Sequence, residues 1–248
     1  MEGSLWWILV GVPISLAICL AMVFLVFSDP RAARERRRRM MQLAEQLGLR
    51  YYGTFEGRDL SFLPACALFE RGEGRAVANL LGEDRSPPRL VLFDYGFKLT
   101  HAGRGRNGAD AGTIALYLVA MARLPDGAAT APACIYREDW FGGPVGVRGL
   151  YRVKPEGDDE FAGDFWLTGE PREAVEAMLT PAVRAALKGW EVRGPRPVVE
   201  ILTDWAVAYV DSAPRDRSVG SRGAALLKYA SRIAAALSCR SAQEGEDR

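Results

Sequence analysis

From Leu5 to Phe27 the chain runs 23 residues without a charge, and six arginines follow almost at once, at Arg31, Arg34, Arg36, Arg37, Arg38 and Arg39. A helix rises about 1.5 Å per residue, so this run spans roughly 34 Å, against about 30 Å of bilayer hydrocarbon. Backbone polar groups in lipid find no water, so the run must bond them internally as a helix. Trp6 and Trp7 suit the first interface, where amphipathic rings collect. Pro13 is tolerated within a membrane helix. Residues 1–30 therefore read as a transmembrane anchor. A cleaved signal peptide would need a basic start, a shorter apolar core and a small-residue cleavage site. Glu2, the length of the run and Ser28-Asp29-Pro30 oppose it.

The arginines set the orientation. Positive charge stays on the cytoplasmic side, which places the N-terminus outside and the rest of the chain in the cytoplasm. The expectation is a single-pass protein of the cell inner membrane. The same six arginines are expected to meet anionic lipid headgroups, at about 1 kcal/mol each near the surface. No aromatic residues are interleaved among them to stack on bases, so no nucleic-acid partner is expected. Without the six arginines and Glu35 the balance of the chain moves from +1 to −4, which also argues against nucleic acid.

Residues 31–48 read as a basic juxtamembrane helix. Met40, Leu43, Ala44 and Leu47 repeat at helical spacing, and Gly48 is a fitting stop. Residues 49–239 are expected to form a cytoplasmic domain. Leu90 to Leu99 is the clearest strand, with Val91, Phe93, Tyr95, Phe97 and Leu99 on one face and Leu90, Leu92, Asp94, Gly96 and Lys98 on the other. Residues 113–121 are apolar on both faces and suit a central strand. Earlier strands are expected near 49–55, 68–69 and 75–81. Residues 153–161 suggest a strand interrupted by Asp158-Asp159-Glu160, and 164–167 a short one. A helix is expected from Pro171, and another with Thr180 as N-cap and Pro181 at its first position. Residues 190–193 and 198–202 read as a hairpin around Gly194-Pro195. A last helix is expected over 224–237, with Arg222, Lys228 and Arg232 on its polar side, then a disordered tail over 240–248. Strands and helices are segregated, which is the α+β pattern: mainly antiparallel sheet packed with helices. A division of the domain into two parts would fall near 127–153.

Chemistry is sparse. Cys19, Cys66, Cys134 and Cys239 are far apart and form no C-x-x-C, and His101 is the one histidine. This spacing excludes ordinary zinc and multi-histidine metal sites and gives no disulfide framework. No catalytic residue, cofactor or metal ligand is assigned. Gly103, Gly105 and Gly108 match the dinucleotide-binding glycine pattern, but a β-prone run follows where a helix should, so a hairpin loop is the better reading. Trp140-Phe141 reads as an aromatic loop pinned to the core. One speculative polar site joins Asp94 with Arg75 or Arg58.

Several short motifs carry a resemblance: Leu-Ala-Glu-Gln-Leu-Gly-Leu ending at Leu49, Leu68-Phe69 before Gly72, and Phe93-Asp94-Tyr95. Leu124-Pro125, then Phe165, Leu167 and Gly169, then Glu173-Ala174 and Leu179-Thr180-Pro181 continue it. Between Leu43 and Leu202 the chain resembles a group of uncharacterised bacterial single-pass membrane proteins carrying a domain of unknown function. The resemblance implies an envelope protein with a cytoplasmic α+β domain, and supplies no catalytic residue. The expected function is a membrane-anchored binding or scaffolding module, with the lipid bilayer and a protein at the membrane as partners. The alternatives are an enzyme using carboxylate and arginine chemistry on a membrane-proximal substrate, or a peripheral module binding anionic lipid.

Overall fold

A computed structural model describes residues 30–56, 60–99, 113–126, 128, 131–137, 151–155 and 158–246. Among them no helix is long and apolar enough to cross a membrane. The span expected to do so, with Leu5, Trp6, Trp7, Pro13 and Phe27, lies outside the described residues. So do Arg58, His101, the 103–108 glycine loop and Trp140-Phe141.

The described chain is α+β. Helix α1 (Pro30–Leu47) is followed by strands β1 (Arg50–Glu56), β2 (Glu73–Gly82), β3 (Leu90–Leu99), β4 (Thr113–Arg123) and β5 (Ala133–Arg137). Then come α2 (Asp159–Asp164), β6 (Phe165–Gly169), α3 (Arg172–Met178), α4 (Pro181–Lys188), β7 (Val198–Ile201), β8 (Trp205–Asp211) and α5 (Val219–Glu246). All eight strands join one sheet in the order β1-β2-β3-β4-β8-β7-β5-β6, every pair antiparallel. Strands before, within and after residues 127–153 thus belong to a single sheet.

The two faces of the sheet are covered differently. Alternation along β3 sends Leu92 and Asp94 to the face on which α1, α4 and α5 pack. Its other residues, Val91, Phe93, Tyr95 and Phe97, enter an aromatic cluster with Tyr209 and Tyr136. Residues 60–71 lie over that cluster, where the Phe69 ring meets Phe93 and Tyr95 at 5.9 and 5.0 Å. On the helical face, α5 crosses β4 and β8 and touches α1. Gly223 permits this close approach: a Cβ there would meet Leu43 and Leu92 methyls at 2.9 Å.

Some expectations hold and others give way to packing. Thr180 caps α4, its Oγ1 accepting from the Val183 amide, with proline at the helix start. Pro171 is the N-cap of α3 rather than its first residue. Residues 159–164 form a helix where a strand was expected, because Asp158 caps it by accepting from the Phe161 amide. The hairpin is β7–β8, not 190–193 with 198–202. Trp190 is taken instead by the helical layer, edge-on to Tyr229 at 5.5 Å. The last helix begins at Val219 and runs to Glu246, where a polar tail was expected. Arg222 is buried rather than solvent-facing, donating to Asp216 and to the Asp211 carbonyl.

Candidate functional site

The six arginines that read as one basic cluster are not equivalent. At about 100° per residue a helix sorts them by angle. Arg36 falls on the stripe of Met40 and Leu43 and is 5% exposed. Its guanidinium forks onto Asp94 of β3, Nε to Oδ2 at 2.7 Å and Nη2 to Oδ1 at 2.5 Å. It also donates to Ser212 Oγ at 2.9 Å and the Ala213 carbonyl at 2.8 Å. Asp94, 2% exposed, accepts a further bond from Asn79 Nδ2 at 2.8 Å. Asn79 sits at a register shift in β2 with φ of 52°, and that local left-handed turn aims its amide at the carboxylate. Tyr51 of β1 completes the chain, its hydroxyl donating to Asn79 Oδ1 at 2.9 Å. One buried network thereby ties α1 to β1, β2, β3 and the segment leading into α5.

Arg36 is therefore corrected from headgroup contact to internal clamp. Arg39 also turns inward, donating to the Asp216 carbonyl and pairing with Glu35. Arg34, Arg37 and Arg38 stay exposed. Of the speculative polar site, Asp94 and Arg75 are not brought together, and Arg58 lies outside the described residues. Asp94 points to the helical face, whereas Arg75 points to the aromatic face and donates to the Phe69 carbonyl at 2.7 Å. The acidic run at 158–160 is engaged in the fold. Asp158 pairs with Lys188 and Arg184, and the Lys188 hydrogen bond leads in holding its carboxyl below the ordinary range. Among the described residues no group of three potential ligands could hold a metal ion.

A second buried node, unmarked in the sequence, lies under residues 60–71. Glu200 of β7 is 3% exposed and accepts from the Ala67 amide at 2.8 Å, the Leu68 amide at 3.2 Å and the Tyr209 hydroxyl at 3.0 Å. Cys66 and Cys134 are buried beside it. Burial first, then the Glu200 charge, pushes the Cys66 thiol up to about 12, and the same two causes raise Cys134. Burial likewise lifts Tyr95 to about 12 and raises Tyr209. The folded state keeps protons that the unfolded chain releases near pH 9 for cysteine and 10 for tyrosine. Stability is therefore intact below about pH 9 and falls as the pH climbs toward 12. Thermal midpoints of the full chain between pH 8 and 11 should decline from about pH 9 onward. A flat or rising profile would contradict this burial of thiols and phenols.

Three surface clefts stand out. The largest, about 960 Å³, lies between the Leu90 end of β3, residues 122–126 and the later part of α5, with Arg85, Arg89 and Arg123 on its walls. A second, of about 580 Å³, runs between α1 and β1. A third, of about 390 Å³, is walled by Leu60, Glu70, Arg75 and Tyr95. All three are open to solvent.

No protein-family model and no curated protein matches the sequence. A solved structure does. The crystal structure of the mycobacterial trehalose monomycolate transport factor A, TtfA, matches with a TM-score of 0.50 over 82% of this chain and 95% of that one, at 11% identity. At that identity the likeness concerns the fold alone.

Proposed function

We propose that this chain is a single-pass inner-membrane protein whose cytoplasmic α+β domain is a binding module, acting as an accessory factor in lipid transport at the membrane. The observation that carries this reading is the Arg36 clamp. An uncharged 23-residue run leads directly into α1, and α1 is bonded into the domain by the Arg36 fork on Asp94. The uncharged run ends two residues before a helix that is locked into the domain, which supports anchoring close to the bilayer as part of its task. Asp94 and Arg75 lie on opposite faces of the sheet, so that pairing does not support the enzymatic alternative. The fold likeness to TtfA, a transport factor for trehalose monomycolate, supports lipid transport as the setting.

Two experiments test the reading. The full chain should sediment with membranes, resist carbonate and dissolve in detergent, and protease should cut its domain in inside-out vesicles but not in spheroplasts. Carbonate release, or cleavage in spheroplasts, overturns the placement. In the native host, depletion should leave a pulse-labelled envelope lipid retained at the inner membrane. The native chain should restore export, whereas one with a long Gly/Ser linker between Asp29 and Pro30 should not. Full restoration by the linker chain would show that tethering suffices.

A further inference from the structure

We propose that the groove between α1 and β1 is a binding site for the phosphate headgroup of an anionic phospholipid in the leaflet where the chain is anchored. The proposal rests on the membrane placement above. Helical geometry gathers Arg34, Arg37, Arg38 and Met41 on one stripe, away from the Arg36 stripe, and all four line this groove. Among the described residues no carboxylate pairs with Arg34, Arg37 or Arg38, although Glu45 stands at the far end of the groove. Three guanidiniums on two adjacent turns offer forked donors to phosphate oxygens. Arg37 is braced over the Tyr51 ring at 5.7 Å. Leu49, the Tyr51 ring and Met41, which is 47% exposed, supply an apolar flank suited to the glycerol and upper acyl carbons.

Position decides between a membrane and an acidic protein as occupant. The three arginines lie seven to eleven residues beyond Phe27, about 10–17 Å along a helix, so their long side chains reach the headgroups by extending back toward the bilayer if the apolar run ends at Phe27. The groove also touches the buried network, because Tyr51 both braces Arg37 and donates to Asn79, which donates to Asp94. A headgroup held there would press on the clamp that fixes the domain.

The test is native mass spectrometry of the full chain in detergent, offered phosphatidylglycerol, phosphatidylcholine or inorganic phosphate. Phosphatidylglycerol should be retained at least tenfold better than phosphatidylcholine. R34Q, R37Q and R38Q should each lower its retention about fivefold, as for one basic contact at a membrane surface. The triple variant should lose it while melting at the native temperature, and R34K/R37K/R38K should keep most of it. R85Q/R89Q, in the cleft beside β3, should behave as the native chain. Equal retention of the two lipids, undiminished retention by the triple variant, or equal binding of inorganic phosphate overturns the proposal. A chain that is membrane-embedded yet shows no lipid preference refutes the groove alone. A chain that carbonate releases from membranes removes the placement beneath it.

Discussion

Replacing Arg36 by methionine should destabilise the domain by about 3–5 kcal/mol, the cost of leaving a buried carboxylate without its partner. For a domain of this size that corresponds to a fall in thermal midpoint of roughly 6–20 °C. The reasoning is asymmetric. Forming the Arg36–Asp94 pair adds little, because both ions give up water. Breaking it is expensive, because Asp94 at 2% exposure has no solvent to turn to and retains only the Asn79 amide. R36M/D94N should regain at least half of the loss, since a buried neutral amide is cheaper than an unpaired charge. Arg36→Lys should fall between, keeping the charge but losing the fork and the simultaneous reach to Ser212 and Ala213. Amide exchange should rise throughout α1 in R36M, because the helix loses its polar tie to the sheet. A loss below about 1 kcal/mol, or an R36M/D94N chain less stable than R36M, would mean that the pair is not the clamp.

The burial of Arg36 was legible in principle. Positions 36, 40 and 43 share one helical face, and Met40 and Leu43 mark it as the inner one. Counted as a single cluster the six arginines report only their charge, whereas their angles around the helix separate Arg36 from the rest. The strands of the β3–β4 pair were legible because period-two alternation and a doubly apolar run leave few other options. Asp94 stood out as a polar residue on a strand, but its partner is 58 residues away, and no local pattern reports such a contact. An isolated Trp-x-Val looks like a strand, whereas the Trp190 ring is claimed by Tyr229 on a helix formed later in the chain. Asn79 and Glu200 gave no signal. Asn79 lies in the apolar second half of β2 and Glu200 in the otherwise apolar β7, and only tertiary partners explain them.

Glu200→Ala should cost about 3–5 kcal/mol and should act locally before it acts globally. The carboxylate accepts two backbone amides of the segment over the aromatic face and the Tyr209 hydroxyl, and each orphaned donor costs about 1–3 kcal/mol when buried. Tyr209→Phe removes one donor together with its need, so its effect should stay within about 1.5 kcal/mol. The readout that separates this role from general destabilisation is Cys66. In the native chain its thiol is buried and titrates near 12, so alkylation at pH 8 should be very slow. Removing Glu200 frees the turn that carries Cys66 and withdraws a negative charge from beside the thiol, and both changes favour the thiolate. At about 1.4 kcal/mol per tenfold, opening of residues 60–71 should become at least a hundred times more frequent. Peptide-mapped labelling of Cys66 should quicken by that factor, while amide exchange in β4 stays near native. If β4 exchanges as fast as Cys66 reacts, Glu200 supports the whole sheet rather than pinning its aromatic cover. If Cys66 labelling is unchanged, the two amides do not depend on the carboxylate.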